Sequence, residues 1–330
     1  MEETKTRKWR WGFKRWIVLV LVILSSVFAN MYPPIRPHIQ VAPENVSRLP
    51  LFSLPVIGDF YLTNTLIAMV IVDIILVLIA LGVRRAVKKG GLVLSGLPAI
   101  VEFLIEFVYN LTESTAGKYA KKVFPWFATI MFMVLVSNWM ELIPGVDSIG
   151  RLEESSHGYP VAEMITGSVA YIYQNAAAAG EAHEGSVIVP YVRVLSTDLN
   201  FTVALALISV IMTQVIGVRA QGVRYFSKFF NTTTIFKKPF FGAIDLAVSI
   251  LELISEFSKI LSFAFRLFGN IFAGAVLLFL IGSLVPVFAQ SAVLLFEFFI
   301  GLIQAFVFGM LTMVFMAQAT HGHAEEEHQS

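Results

Sequence analysis

The sequence predicts an all-α integral membrane protein with about five transmembrane helices and one interfacial amphipathic helix, and three observations predict it. The 330 residues are 57% hydrophobic and 14% charged, far below the roughly 25% charged content of ordinary soluble domains, and the mean hydropathy is +0.75. Apolar stretches recur at lengths that cross a hydrocarbon core of about 30 Å. Lysine and arginine are concentrated in alternate connecting segments, as the positive-inside rule requires. The net charge of +1 gives no bulk attraction for nucleic acid or an acidic substrate. With no cysteine, disulfides, thiolate metal sites and cysteine nucleophiles are excluded.

Residues 1–31 open with Lys5, Arg7, Lys8, Arg10, Lys14 and Arg15 ahead of an apolar run from Trp16 to about Phe28. Two readings stand: a signal-like segment with a small-residue cleavage site at Ala29, or an extra N-terminal helix, about 15 residues long and short for a span. Residues 32–60 hold six prolines, from Pro33 to Pro55, and read as an external irregular segment. The membrane domain covers 61–320, with spans expected at about 61–83, 124–143 and 199–217. Between the first two, residues 97–122 carry Glu102, Glu106, Glu113, Lys118, Lys121 and Lys122 and read as the interfacial helix. Residues 144–198 form a long external loop, where the A-A-A-A-G run ending at Gly180 suggests disorder or helix.

Two longer apolar stretches close the domain, about 242–282 and 290–318, around a turn containing Pro286. At 1.5 Å per residue they extend about 60 Å and 45 Å, well beyond a perpendicular crossing. The expectation is a long, strongly tilted helical hairpin, suited to docking on a curved partner; the alternative is that each stretch is two shorter segments. Residues 321–330, with His321, Glu325, Glu326, Glu327 and His328, read as a solvated charged tail rather than a metal site.

The segments 1–16, 84–123 and 218–240 carry 6, 7 and 5 basic residues, against 2, 2 and 0 in 32–60, 144–198 and 283–289. This bias orients the chain with its C-terminal tail cytoplasmic. The two remaining basic residues, Lys259 and Arg266, lie within the membrane.

Glu252, Ser255, Lys259, Ser262, Arg266 and Asn270 are spaced three or four apart, so they form one polar stripe on an otherwise apolar helix. Taken singly, these residues have bland readings: Glu252 and Lys259 as an ion pair, Ser255 and Ser262 bonded back to helix carbonyls. Six aligned polar residues in lipid instead mark a functional line, because charge at the bilayer centre is costly and normally faces a bundle interior or a watery cavity. Arg266 keeps its proton. A titratable carboxylate passing it is stabilised in the ionised form, by about 4 kcal/mol at 4 Å and an effective dielectric near 20. Such a carboxylate, carried by another subunit, would release a proton on one side of Arg266 and regain one on the other, while the arginine blocks direct leakage.

Further polar residues cluster towards the outside. Asn138 and Glu141 end one span, Asp198 and Asn200 begin the next, and Glu297 and Gln304 lie seven apart on one face of the last helix. Together they supply an external inlet. Asp73 lies in the middle of the first span, expected to face protein or water but with no role assigned. Gly269 and Ala273 form a small-xxx-small pair that permits close helix approach, within this chain or to another subunit.

R-L-F-G-N at 266–270 with A-G at 273–274 resembles the a subunit of rotary F-type ATP synthases. The resemblance extends through N-W-M-E-L-I-P-G at 138–145, D-L-N at 198–200, the Glu252–Ser262 lead-in and L-I-Q-A-F at 302–306, covering roughly 60–320. It implies a non-catalytic proton-channel stator whose long tilted hairpin faces the c-ring, with the b-subunit stalk and the rest of the Fo/F1 complex as partners. It implies no cofactor and no metal; the transported ion is H+ or Na+, and the location a bacterial plasma membrane. It assigns Arg266 as the essential stator charge, Asn270, Glu297, Gln304, Asn138, Glu141 and Asp198 to the external half-channel, and Glu252, Ser255, Lys259 and Ser262 to the internal one. Many members carry an acidic or histidine side chain immediately after the A-G, where this chain has Ala275; Glu297 is therefore expected to carry the external relay alone.

Two other functions are open on the residues alone: a secondary transporter holding an anionic substrate at Arg266, and a purely structural membrane subunit. The inverted repeats and broken helices common in transporters are not evident in the sequence. No G-x-x-x-x-G-K-S/T loop or metalloprotease motif is present.

Overall fold

The computed structural model describes residues 13–31, 41–47, 49–55, 58–88, 96–143, 145–155, 161–166, 169–172, 185–229, 239–284 and 288–320. Among the described residues the α-helices are α1 (Phe13–Met31), α2 (Asn64–Lys88), α3 (Leu97–Ala116), α4 (Ala120–Met140), α5 (Leu199–Gln221), α6 (Pro239–Leu284) and α7 (Phe288–Thr320). Among the described residues, five stretches are long and apolar enough to cross a membrane: Asn64–Lys88, Leu97–Met140, Leu199–Gln221, Leu246–Gly282 and Ala289–Thr320. The chain is an integral, multi-pass membrane protein.

Helix α2 ends in Arg84, Arg85 and Lys88, cations placed where the helix dipole favours them. The expected helix over 97–122 is divided. Gly117, at φ +50°, interrupts it, and a tight turn at Gly117–Tyr119 leads straight into α4. Helix α3 keeps the amphipathic form, with Val108, Thr112 and Ala116 buried at four-residue spacing and Glu102, Glu106 and Glu113 exposed. Helix α5 is started by Asp198, whose carboxylate accepts from the Asn200 backbone N–H at 2.8 Å, and stopped by Gly222 at φ +68°.

The last two helices are unbroken, 46 and 33 residues long, or about 69 Å and 50 Å. The alternative of two shorter segments in each is thereby ruled out. The Pro286 turn lies outside the described residues, as do the alanine run ending at Gly180 and the charged tail.

The helical fold is accompanied by short strands in the connecting segments, where irregular chain was expected. β1 (Phe52–Leu54) pairs antiparallel with β2 (Gly58–Phe60), Phe52 opposite Phe60. β3 (Gly150–Ser155) pairs with β6 (Gly185–Pro190), and β4 (Val161–Thr166) pairs antiparallel with β5 (Val169–Ile172). Runs such as V-A-E-M-I-T and S-V-I-V-P are rich in β-branched residues, which favour strand pairing.

The chain falls into two compact units. One comprises Met1–Ile39, Arg151–Val189 and Gly274–Glu297; the other Gln40–Gly150, Pro190–Ala273 and Phe298–Ser330. The larger unit holds the main core. Ile130, Val134 and Leu135 of α4, Leu205 and Ala206 of α5, Phe263, Ala264, Leu267 and Ile271 of α6, and Ala305 and Phe308 of α7 form one buried cluster. Val108, Val123, Phe127, Met313 and Met316 anchor a second. Gly309 lets α7 close on α4, since a Cβ there would stand 2.8 Å from the Phe127 ring.

Candidate functional site

The polar stripe of α6 runs beside its packed face. Phe263, Ala264, Leu267 and Ile271 are buried, whereas Ser255, Ser262, Arg266 and Asn270 are exposed, with Glu252 and Lys259 intermediate. Among the described residues, the one hydrogen bond made by Arg266 runs from its Nη2 to the Ser262 hydroxyl, one turn back, at 3.3 Å. Ser262 therefore faces the guanidinium. A side chain built on Gly269 would meet open space, and Ala273 is exposed, so this pair packs no described helix of the chain.

Ten residues before Arg266 lies a carboxylate that the stripe did not include. Glu256 is buried and accepts from Lys259 Nζ at 2.8 Å through Oε1 and from Gln214 Nε2 of α5 at 3.0 Å through Oε2. Gln214 in turn accepts from the Tyr225 hydroxyl at 2.7 Å. The Lys259 ammonium also lies 4.7 Å from the Phe315 ring centroid, a cation–π contact. The ion pair of Lys259 is thus made with Glu256, three residues before it, where the sequence suggested Glu252. Tyr225 is enclosed in the segment just beyond α5, and its ring lies where a Gly217 side chain would have to be. Burial, with the Glu256 and then the Glu252 carboxylate nearby, holds its hydroxyl above the ordinary tyrosine range.

The second buried polar cluster sits at the other end of α5, sixteen residues or about 24 Å away. Asp198 has both carboxylate oxygens committed: Oδ1 to the Asn200 N–H and Oδ2 to the Thr65 hydroxyl of α2 at 2.9 Å. Two residues earlier, the Ser196 hydroxyl donates to Asn138 Oδ1 at 2.6 Å, and Asn138 Nδ2 donates to the Gly301 carbonyl of α7 at 3.2 Å. Trp139 Nε1 donates to the Phe298 carbonyl, and its ring stacks on Phe298. Glu141 is buried at the same end of α4. Asn138, Glu141 and Asp198 therefore lie at one end of the bundle, with Asn138 and Asp198 hydrogen-bonded to neighbouring elements there. Gln304 is half-buried on α7.

Glu297 is described within the smaller unit. Its residue is 4% exposed, and its Oε1 is buried without a hydrogen-bond partner among the described residues. The carboxylate lies over Gly274 of α6, in the space that any Cβ at that position would occupy. Ala275 is intermediate in exposure. A buried carboxyl oxygen left without a donor is expensive unless water or another group reaches it.

Sequence reasoning missed Glu256, Gln214, Tyr225, Thr65, Ser196 and the role of Gly274. Glu256 carried a readable signal, standing four after Glu252 and three before Lys259. Gly274 had none, because its partner is on another helix. Among the described residues no group of three or more His, Cys, Asp or Glu side chains converges as a metal site.

A family model described as "ATP synthase A chain" matches residues 65–317. The ATP synthase subunit a of Pseudoalteromonas atlantica is 32% identical over 203 residues, covering 59% of this chain and 64% of that protein. The chain thus matches less than two thirds of the length of this relative.

Proposed function

Because the chain belongs to the ATP synthase A chain family, we propose that it is the membrane stator subunit of a rotary F-type ATP synthase, non-catalytic by itself, in which ion flow past Arg266 turns a carboxylate-bearing c-ring. The observation that most supports this reading is the open position of Arg266, with Gly269 and Ala273 leaving clear surface beside it. A guanidinium exposed on a membrane helix is costly against lipid. A ring carboxylate sliding across that face supplies its counter-charge.

The mechanism follows from the fixed charge. Near Arg266 the arriving carboxylate ionises, stabilised by about 4 kcal/mol at 4 Å; once past it, desolvation favours reprotonation. The arginine does not release its proton and so separates the two paths. The external path uses Asn270, Glu297, Gln304, Asn138, Glu141 and Asp198, with Glu297 as the relay that Ala275 cannot share. The internal path uses Glu252, Ser255, Lys259 and Ser262, with Glu256 holding Lys259 on its line. A potential of 100 mV does about 2.3 kcal/mol of work on each charge, which the offset paths convert into rotation.

The ion is H+ or Na+, selected by the ring. The b-subunit stalk and the remaining Fo/F1 subunits are the other partners, and the C-terminus is cytoplasmic in a bacterial plasma membrane. Gentle solubilisation of native membranes tests the assignment. A small, carboxylate-bearing ring protein should accompany this chain, and its absence from an otherwise intact preparation would overturn the reading. ATP-driven acidification measured with and without sodium identifies the ion.

A further inference from the structure

Helix α2 carries one ionisable side chain between its first residue and Arg84, namely Asp73. Taking Thr65 to Arg84 as the twenty residues that cross about 30 Å of hydrocarbon, Asp73 lies about 12 Å from one boundary and within about 3 Å of mid-depth. Its side chain is too short to reach either interface. Asp73 is exposed, and among the described residues no hydrogen bond or ion pair reaches it. Val70 and Val77, on neighbouring turns of the same face, are exposed as well. Helix α2 is also the least enclosed of the five spans, 11% buried where the others are 28% or more.

Apolar side chains on such a face need no partner in lipid, but a carboxylate does. Headgroups are out of reach, and the described residues offer Asp73 no charge complement. The run from Trp16 to Phe28 contains no basic residue. Of the basic residues on α6 and α7, Lys259 is held by Glu256 and Arg266 lies against Ser262. A second copy presenting the same face would set carboxylate against carboxylate.

We propose that the α2 face formed by Val70, Asp73 and Val77 receives a transmembrane helix of another polypeptide that carries Lys or Arg at mid-depth, paired with Asp73. Charge complementarity selects this occupant: a basic side chain neutralises the carboxylate, and its helix covers the apolar flanks. The pairing is independent of the ion path through Arg266, so the failure of one reading leaves the other standing.

A photoreactive amino acid at Val77, activated in native membranes, tests this with Asp73 intact. The expected product is an adduct to one other polypeptide, mapped to a membrane-spanning segment within one helical turn of a Lys or Arg. Its yield should fall about tenfold in Asp73→Leu and in the nearly isosteric Asp73→Asn. It should return when Asp73→Lys is combined with Glu at the mapped basic position. Adducts to lipid alone, adducts to a second copy of this chain, or a polypeptide adduct indifferent to both Asp73 substitutions would each overturn the proposal.

Discussion

The carboxylate of Glu297 occupies the space above Gly274 that a side chain there would fill. Helix α6 therefore needs glycine at that point for Glu297 of α7 to lie inward. Gly274→Ala should displace the carboxylate, at a packing cost of about 1–3 kcal/mol, and slow ATP-driven ion pumping about two- to tenfold if half of that cost falls on the barrier. Combining Gly274→Ala with Glu297→Ala should recover thermal stability but not pumping. If the double variant pumps normally, the relationship is one of packing alone.

Glu297→Gln keeps the shape of the side chain and removes the titratable proton site. With Ala275 in the position where many family members carry a second polar group, there is no substitute relay beside it. Proton flow should slow sharply in inverted membrane vesicles, and near-normal pumping would sink the idea that Glu297 carries the external relay alone.

Glu256 ties Lys259 to Gln214. Glu256→Ala would leave the Lys259 ammonium and the Gln214 amide without their acceptor, at a cost of about 1–3 kcal/mol. Thermal unfolding of the detergent-solubilised protein should register this as a lower Tm, and Glu256→Gln, which keeps one acceptor oxygen, should lose less. Equal losses in the two variants would mean that the carboxylate charge, more than its hydrogen bonds, holds Lys259.

Tyr225 sets an alkaline limit. Its hydroxyl is held above the ordinary range by burial and by the Glu256 and Glu252 carboxylates, so its folded pKa lies above its unfolded value of about 10. The associated stability is fully present below pH of about 10 and is lost as pH rises towards the folded value, because the unfolded chain gives up the proton first. Between pH 9 and about 11.5 the Tm should fall more steeply in the native protein than in Tyr225→Phe. Parallel curves would contradict the assignment.

Much of the fold was legible because lipid simplifies the code. Helix lengths followed from apolar runs, and the excessive lengths of 242–282 and 290–318 already implied the long helices α6 and α7. The Arg266 stripe was legible because its members share one helix and obey its period. Legibility failed where structure depends on contacts between elements. Glu256 stands on the flank of the stripe and gains meaning only from Gln214 and Tyr225. Asp198 read as an inlet carboxylate, and the engagement of its two oxygens by the start of α5 and by Thr65 was not visible in the sequence. The strands within 150–190 escaped notice because a short β-branched run in a loop acquires a structure only by pairing.

If Arg266 is the fixed charge dividing two paths, its removal is decisive for ATP synthesis driven by an imposed proton or sodium gradient and potential, measured in vesicles carrying Arg266→Ala. The complex should assemble with its full subunit complement and synthesise no ATP above background. Coupled synthesis at a substantial fraction of the native rate would contradict the account.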